Sequence, residues 1–264
     1  CSSSSRNTRL AALRSFFTFL EYEDPGRIHQ AQKILSIPIK KSEKKSIGYL
    51  SIEGIRLLLR QPDRNTQKGR RDLAMLALMY ETGARVQEIA DLKAECVRIE
   101  KPYTISITGK GRKTRVVPLL EKQMEYLMDY MREYNLNRPE KASYYLFTNR
   151  NGNKLTRGGI SFILKKYLAM AKNENQALIP DKISCHSLRH SRAMHLLQAD
   201  VPLIYIRDLL GHESVVTTEV YAKADSRRKR EVLTNAFTQV LDEKKDEKPI
   251  WLKNGDLLEW LKNL

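Results

Sequence analysis

One pair of β-branched runs stands out in a sequence whose apolar residues otherwise recur with a helical period. The runs are YTISIT at residues 103–108 and TRVVPL at 114–119, with GKGRK between them. Gly109 and Gly111 permit the tight reversal that joins two antiparallel strands. The sequence therefore predicts a mainly α fold with a small antiparallel β-sheet, of the α+β class.

The other elements predicted from the pattern are almost all helices. Apolar residues recur at spacings of three and four within 6–22, and an apolar run within 70–80 predicts a buried helix. Residues 144–156 predict a short strand and a turn at Asn151-Gly152. Further helices are predicted at 51–60, 86–92, 121–134, 156–172, 186–198, 202–210 and 226–241.

A linker and a charged run divide the chain into three segments. Residues 36–48 contain Pro38, Gly48 and four lysines with little periodicity, which indicates a linker. We expect an N-terminal segment at 1–47, a main domain at 48–241 and a C-terminal segment at 242–264. The last one begins with the run DEKKDEK and ends in an amphipathic helix at 256–264. Because the first residue is Cys1 rather than Met, we also expect the chain to be a fragment.

The charge balance indicates a polyanionic partner. Lys plus Arg is 47 and Asp plus Glu is 31, so the net charge is +16. Such a balance favours nucleic acid ahead of an anionic membrane. No run approaches the ~18 apolar residues of a membrane-spanning helix, and we expect no membrane partner.

The three cysteines limit the compartment and the kinds of site. Cys1, Cys96 and Cys185 are widely spaced and include no CxxC pair. This pattern excludes a disulfide framework and a thiolate zinc site. We therefore expect a reducing compartment and a cytoplasmic location.

Residues able to carry chemistry are concentrated in four places. They are Arg85 in ETGARVQEIADL, Lys110 in TGKGRKTRVVPL, the segment HSLRH at 186–190, and LLGHESVVTTEVYA at 209–222. Each has a plain structural interpretation when it is taken singly. An Arg near a helix start lies on the surface, a turn Lys is solvated, and a lone Tyr is half-buried.

Taken in order, the four places resemble the tyrosine recombinase, or phage integrase, family, in a Xer-like form. That family's active site reads Arg…Lys…His-x-x-Arg…His/Trp…Tyr. Here TGAR is followed by Glu88 and Leu92, GKG is followed by RVVPL, and LGH precedes the Tyr by nine residues. The resemblance runs from about Leu50 to Tyr221. It implies these catalytic residues: Arg85, Lys110, His186, Arg189, His212 and Tyr221.

The resemblance also implies a fold and an activity. The fold is a tyrosine recombinase catalytic domain, preceded here by a partial helical DNA-binding segment at 1–47. The activity is site-specific cleavage and rejoining of DNA strands through a covalent 3′-phosphotyrosine with a free 5′-hydroxyl. The stored bond energy lets the strand be rejoined without ATP. TTEVY and TRGGI hint at a transposon- or plasmid-borne enzyme.

The residue types suit this chemistry. Arg85 and Arg189 offer forked donors to the extra negative charge of a pentavalent phosphorus. A tyrosine with a pKa near 10 is a poor nucleophile at pH 7, so Tyr221 needs positive surroundings and a base. His186 is the expected base.

Three further roles complete the expected site. Lys110, on the hairpin, is the expected general acid for the leaving 5′-oxygen. His212 is expected to donate a hydrogen bond to a non-bridging oxygen. Glu88 lies three residues after Arg85 and is expected to orient Arg85 or His186, with a plain helix-surface carboxylate as the alternative.

No metal or cofactor is expected. His186 and His190 stand four residues apart, but no Glu occupies the second position of an HExxH pattern. The motif regions are rich in Arg and lack the convergent carboxylates of a two-metal nuclease. His190 and His195 are expected to be packed or solvent-facing helix residues.

Two alternatives to a recombinase remain at this point. One is a DNA-binding module that keeps the fold without catalysis, and the other is a type IB topoisomerase-like enzyme. The full set of polar residues at the motif positions favours an enzyme over a binding module. The short amphipathic tail after Tyr221 favours a recombinase over a topoisomerase.

The expected partners are double-stranded DNA recombination sites and further copies of this chain. We expect a homo-tetramer on DNA through the helix at 256–264, with docking of that helix onto its own domain as an equal alternative. Transposition, phage integration and dimer resolution are all compatible with the sequence. The residues expected to contact DNA are basic: Lys40, Lys41, Lys44, Lys45, Arg112, Lys113 and Arg157.

Overall fold

The computed structural model describes residues 2–41 and 48–224. Contacts divide the chain into two compact units, Cys1–Ser46 and Ile47–Leu264. The roles expected for the segments 1–47, 48–241 and 242–264 stay predictions. The boundary expected after residue 241 stays a prediction as well. No helix within the described ranges is long and apolar enough to cross a membrane.

The first unit is a pair of helices, α1 (Ser3–Glu23) and α2 (Ile28–Leu35). Ser2 caps α1, because its hydroxyl accepts a hydrogen bond from the backbone N–H of Ser5. Arg14 of α1 donates to the carbonyls of Leu35 (3.0 Å) and Ile37 (2.6 Å) and so holds the end of α2. The sequence pattern predicted α1 but missed α2.

The second unit packs helices on a three-stranded antiparallel sheet. The strand order is β1-β2-β3, and Thr104 pairs with Pro118 at one end of β2 and Thr108 with Thr114 at the other. The strands are β1 (Val97–Arg98), β2 (Thr104–Thr108) and β3 (Thr114–Pro118). The helices are α3 (Ile52–Arg60), α4 (Gln67–Thr82), α5 (Val86–Asp91), α6 (Glu121–Glu133), α7 (Arg157–Glu174), α8 (Cys185–Gln198), α9 (Leu203–Leu210) and α10 (Val215–Ala224).

Helix α4 is the centre of the larger hydrophobic core. Its run from Leu73 to Met79 is almost completely buried, and it packs against α6 and α8. A continuous apolar run cannot leave one face in water, so it places this helix inside the domain. Gly83 then ends α4 in the left-handed region (φ 57°), and a Cβ there would lie 2.5 Å from Leu210 Cδ2. The chain can therefore turn into α5 only through a glycine.

A second hydrophobic cluster joins α8, α9 and α10. Met194, Ile206, Leu210 and Tyr221 are buried together in it. Tyr221 therefore belongs to the packed interior, and its ring position is set by the packing of three helices.

The predicted fold class is confirmed, as are the hairpin and most helices. The predicted strand within 144–156 is wrong. Only isolated bridges form there, between Lys93 and Tyr145 and between Thr148 and Lys154, although Gly152 does turn the chain with φ 75°. Helix α10 was not predicted. The helices predicted at 226–241 and 256–264 lie outside the described residues.

Candidate active site

A buried carboxylate organises the corner between α4 and α5. Glu88 accepts hydrogen bonds from the backbone N–H of Arg85 (2.9 Å), from Arg85 Nη1 (2.9 Å) and from Arg115 Nη2 (2.7 Å). Burial opposes the charged form of Glu88, but the hydrogen bonds from Arg115 and Arg85 outweigh it and lower the pKa. The predicted role of Glu88 in orienting Arg85 fits these contacts. No hydrogen bond joins Glu88 to His186 among the described residues.

Arg115, which the sequence interpretation did not single out, ties three parts of this site together. It lies on β3, donates from Nη2 to Glu88 and donates from Nε to the carbonyl of Leu209 (2.8 Å) at the end of α9. The hairpin, the start of α5 and the turn before His212 are thus connected through one guanidinium.

The hairpin approaches Glu88 through a glycine. A Cβ on Gly109 would lie 2.9 Å from Glu88 Oε1, so a larger residue would force the carboxylate to move. Lys110 opens the short 3₁₀ turn Lys110–Arg112 that joins β2 to β3. The position of the Lys110 side chain lies outside the described part of the structure, and its predicted role as general acid stays a prediction.

Arg189 is a buried cation with unused donors. Only 1% of it is exposed, and its Nη1 donates to the carbonyl of Gly83 (2.7 Å). Its Nε and Nη2 atoms are buried and have no hydrogen-bond partner among the described residues. Burial, followed by repulsion from Arg85, lowers its pKa to about 10, so Arg189 remains charged at neutral pH. A buried guanidinium with free donors indicates an anion site.

Tyr221 is held beside this cation on α10. It is only 3% exposed. Its hydroxyl lies 2.9 Å from Nδ1 of His190. Burial raises the pKa of Tyr221, although Arg189 and then Arg85 act to lower it. His190 is a packed helix residue, as predicted, but the sequence interpretation did not foresee that its ring contacts the tyrosine hydroxyl on another helix.

His186, the expected base, stands next to His190 on α8. Their ring centroids are 4.3 Å apart in an edge-on contact. The pKa of His186 is lowered by partial burial and then by Arg189 and Arg85. The described residues give His186 no hydrogen bond to Tyr221, and its role as base stays a prediction.

His212 also lies near the tyrosine ring. The two rings are nearly parallel, with centroids 6.4 Å apart. His212 Nδ1 lies 3.0 Å from Oγ1 of the buried Thr218, which fixes the ring orientation. Burial, followed by Arg189 and Arg85, lowers the pKa of His212 to about 4. The ring is therefore neutral at pH 7 and retains one N–H donor.

A cavity of about 600 Å³ opens next to these residues; His212 lines it, but Tyr221 and Arg189 do not. Its charged lining residues are four basic and two acidic side chains, which leaves an excess of positive charge: Arg85, Lys113, Arg115, Arg207, Asp208 and Glu213. At the hairpin tip, Lys113 Nζ lies 3.6 Å from Glu213 Oε1, and both side chains are largely exposed. The volume and the sign of the charge suit a phosphodiester group.

The structure gathers most of the predicted site residues and adds two. Arg85, Glu88, Arg189, His212 and Tyr221 interact in one region through the contacts given above. A signal for His190 was present in its spacing of four residues from His186, which puts both on one helix face. Arg115 begins the RVVPL motif, but its contacts could not be predicted because its partners lie far along the chain.

The basic residues predicted to contact DNA lie at the surface wherever they are described. Arg112 and Lys113 are exposed in the hairpin turn, and Arg157 is exposed as the first residue of α7. Lys40 and Lys41 are exposed in the first unit. Lys44 and Lys45 lie outside the described residues. Within 2–41 and 48–224, no group of three or more His, Cys, Asp or Glu side chains could hold a metal ion.

Comparisons of sequence agree on one family. The model described as "Phage integrase family" matches residues 49–228. Tyrosine recombinase XerD of Listeria innocua is 34% identical over 225 residues, covering 84% of this chain and 72% of the relative. Tyrosine recombinase XerD of Staphylococcus epidermidis is 35% identical over 229 residues, covering 85% and 73%.

Solved structures give the same picture. The XerH site-specific recombinase, in a post-cleavage complex with palindromic difH substrate, matches with a TM-score of 0.63 and 27% identity. The match covers 75% of this chain and 58% of the XerH chain, so this chain spans less than two thirds of that protein. The XerA recombinase matches with a TM-score of 0.61 at 22% identity, over 86% of this chain and 83% of XerA. That identity supports the fold alone.

Proposed function

This chain belongs to the phage integrase family and is a site-specific tyrosine recombinase, and we propose that it breaks and rejoins DNA strands with Tyr221 as the nucleophile. In the proposed reaction the Tyr221 oxygen attacks a backbone phosphorus and forms a 3′-phosphotyrosine. The 5′-oxygen leaves as a hydroxyl. Attack of a 5′-hydroxyl on the phosphotyrosine then reseals a strand and releases Tyr221.

The observation that carries this proposal is the unused half of the Arg189 guanidinium beside Tyr221. A buried cation with two unpaired donors is unfavourable unless a ligand supplies the missing partner. A phosphate has the charge and the pair of oxygens that a guanidinium fork binds. An anion bound there would lie next to the hydroxyl of Tyr221, which is buried in the cluster of α8, α9 and α10 and contacts His190.

The remaining roles follow from charge and position. Arg85, kept in place by Glu88, shares the extra negative charge of the transition state with Arg189. His212 donates its free N–H to a non-bridging oxygen. Lys110 is the proposed acid for the leaving 5′-oxygen, because the turn that carries it begins next to Gly109, which closely approaches Glu88.

We propose double-stranded DNA as the substrate. The XerH relative is described as bound to its difH substrate, and the net charge of +16 supports the same class of partner. The exposed residues Arg112, Lys113 and Arg157, with Lys40 and Lys41, are proposed phosphate contacts. A chain that acts on bacterial DNA would work in the cytoplasm, which the cysteine pattern also favours.

We also propose a homo-tetramer on DNA, linked through residues 256–264. Their sequence, DLLEWLKNL, has an apolar side but is too short to be a stable helix alone in water. Docking on a neighbouring copy would cover that side. The comparisons favour neither an idle DNA-binding module nor a type IB topoisomerase-like enzyme.

The test is covalent capture on DNA. The protein is incubated with a pool of nicked duplexes of randomised sequence, in which the cleaved fragment diffuses away, and adducts are recovered under denaturing conditions and sequenced. We expect adducts from the unaltered protein and none from Tyr221→Phe, which keeps the ring and loses the nucleophilic oxygen.

Tyr80→Phe is the matched control for this substitution. Tyr80 also lies 2.9 Å from a histidine of α8, His195, but it has no place in the proposed chemistry, so its variant should give adducts normally. An adduct of normal yield from Tyr221→Phe would move the nucleophile elsewhere. Tyr205→Phe, which removes an exposed hydroxyl on α9, would then be examined.

A further inference from the structure

The hydroxyl of Tyr221 has one described hydrogen-bond partner, and it is not the histidine of the His-x-x-Arg motif. His190 follows Arg189 directly and lies one helical turn beyond His186. Its Nδ1 atom is 2.9 Å from Tyr221 Oη, with ring centroids 5.5 Å apart at 61°. This distance and the tilted rings allow the phenol O–H to donate in the plane of the imidazole.

The other two histidines of the cluster are engaged differently. His212 directs Nδ1 to Thr218 and presents its ring face to the tyrosine ring. His186 touches the ring of His190 and makes no described hydrogen bond to Oη. His190 is therefore the histidine whose ring nitrogen is placed to take a proton from Oη.

Burial, together with the charges around His190, keeps its ring neutral in the absence of DNA. Its pKa is lowered to about 4 by burial, then by His186 and Arg189. The groups that face the cluster from other elements are Arg85 at the start of α5, His212 before α10, and Tyr221 itself. A neutral ring with its proton on Nε2 leaves Nδ1 free to accept the phenol proton.

Substrate binding would change this balance. A phosphodiester carries one negative charge, and in the proposed complex it would lie against Arg189 and Arg85. That charge would offset the repulsion that suppresses protonation of His190, and so raise the proton affinity of the ring when Oη attacks.

We propose that His190 is a catalytic residue, which positions Tyr221 Oη and accepts its proton during strand cleavage. In this step the Oη–P bond forms and the P–O5′ bond breaks. The phenol proton passes to His190 Nδ1, and the general acid supplies a proton to the 5′-oxygen. In the rejoining step His190 returns its proton to Oη. The proposal rests on the proposed function of Tyr221.

The first test separates holding the hydroxyl from accepting its proton. In His190→Asn, an amide atom takes approximately the position of Nδ1, so a hydrogen bond to Oη can remain, but the amide is not a base. We expect the rate of adduct formation to fall about 10²- to 10⁴-fold, with DNA binding retained. His190→Ala should lose at least as much.

The same helix offers a matched control. His195 contacts the Tyr80 hydroxyl through Nδ1 at the same distance, 2.9 Å, outside the active site. His195→Asn should leave the rate of adduct formation unchanged. An equal loss in both Asn variants would mean that the effect is a general one on α8.

The second test changes the acidity of the nucleophile. Tyr221 is replaced by 3,5-difluorotyrosine, whose more acidic phenol needs less help from a base. With difluorotyrosine at position 221, we expect the rate loss caused by His190→Asn to be smaller by at least about tenfold than with tyrosine there. We expect no such rescue for Arg189→Lys. A His190→Asn variant as fast as the unaltered protein, or a deficit that is the same with both phenols, would overturn the proposal. Rescue of His186→Asn instead would assign the base to His186.

A spectroscopic measurement keeps failure of this proposal distinct from failure of the proposed function. The ¹⁵N resonances of His190 are followed by NMR against pH in the DNA-free protein and in Tyr221→Phe. We expect the loss of the phenol donor to shift Nδ1. Unchanged resonances would contradict the contact even if adducts form, whereas a missing adduct from the unaltered protein contradicts the proposed function whatever the spectra show.

Discussion

Helix α8 contributes a histidine to each of two tyrosine–histidine pairs, and the two histidines are five residues apart along the helix. In one pair His190 Nδ1 meets Tyr221, and in the other His195 Nδ1 meets Tyr80, both at 2.9 Å. Burial raises the pKa of both tyrosines and lowers the pKa of both histidines. As hydrogen bonds, the two pairs are nearly alike.

Their surroundings differ in how charge is balanced. Around Tyr80, the guanidinium of Arg192 lies over the ring at 5.4 Å and pairs with Glu81 at 2.9 Å. Around Tyr221, Arg189 has two donors without partners in the described structure, while Glu88 is fully engaged by Arg85 and Arg115. Arg192 beside Tyr80 thus has a carboxylate partner, although its Nε atom is also buried without a hydrogen bond, whereas Arg189 beside Tyr221 forms no ion pair among the described residues.

The comparison teaches that the hydrogen bond alone does not make a reactive tyrosine. A phenol is activated when the charge that forms on attack is stabilised and its proton has an acceptor. We propose that only the Tyr221 pair offers both, because Arg189 beside it has two donors free to stabilise that charge. Making the same substitution at both pairs therefore measures how much the charges around Tyr221 contribute to the rate of adduct formation.

After the substitutions of Tyr221 and His190, the largest expected effect comes from exchanging arginines. Arg189→Lys keeps a positive charge but loses the planar fork, and we expect the rate of adduct formation to fall about 10²- to 10³-fold. Arg192→Lys, three residues along the same helix, should leave that rate unchanged. Single-turnover capture on the selected duplex measures both.

Folding of the Arg189→Lys variant is checked separately, because the residue is buried and also binds the Gly83 carbonyl. Thermal unfolding and DNA binding of the variant should show a folded protein that still binds. Equal rates for Arg189→Lys and the unaltered protein would remove Arg189 from the chemistry.

A smaller effect is expected from the carboxylates that accompany the two pairs. Arg115→Gln leaves the buried carboxylate of Glu88 without one of its two arginine partners. We therefore expect the free energy of unfolding to fall by about 3 kcal/mol. Arg192→Gln breaks the more exposed pair with Glu81 and should cost about 0–1 kcal/mol.

Denaturant unfolding of Arg115→Gln, Glu88→Gln and the double variant measures the coupling. We expect the two single losses to sum to more than the loss in the double variant, because both remove the same pair. Strict additivity would mean that Arg115 and Glu88 do not depend on each other.

The smallest expected effect is a difference in pH dependence. His190 has a pKa of about 4 in the fold and an ordinary value near 6.5 when unfolded. Between about pH 4 and about pH 6.5 the His190 ring therefore binds more protons in the unfolded chain than in the folded protein. The contribution of His190 to the free energy of unfolding is complete above about pH 6.5 and is lost as the pH falls toward about 4.

Replacing each histidine by Asn tests this linkage. We expect His190→Asn to reduce the fall in melting temperature between about pH 7 and about pH 4.5 more than His195→Asn does. The reason is that His186 and Arg189 lower the pKa of His190 further, whereas the lowering of the His195 pKa by Arg192 is partly offset by the backbone of Leu50 and the charge of Glu53. Equal flattening by the two substitutions would contradict the difference in surroundings.

Local patterns were sufficient for much of the fold. The hairpin followed from two β-branched runs around Gly109 and Gly111, and α4 followed from an apolar run too long to lie on a surface. The strand expected within 144–156 did not form, because its residues find only isolated bridges with Lys93 and Lys154. Helix α10 was missed because its residues, VVTTEVYAKA, include several β-branched side chains with low helix propensity, and packing in the cluster with α8 and α9 overrides that preference.

For the site, the sequence by itself determined which residue types stand in which order: two arginines, a lysine, histidines and a tyrosine at family-like spacings. Only the tertiary structure decided which of them touch. His190 reaches Tyr221 across 31 residues, and Arg115 reaches Leu209 across 94. Contacts at such separations depend on how helices and strands pack, and local periodicity carries no information about that. The same packing buries Arg189 and leaves its Nε and Nη2 atoms without a partner in the described structure, and the proposed anion site depends on that.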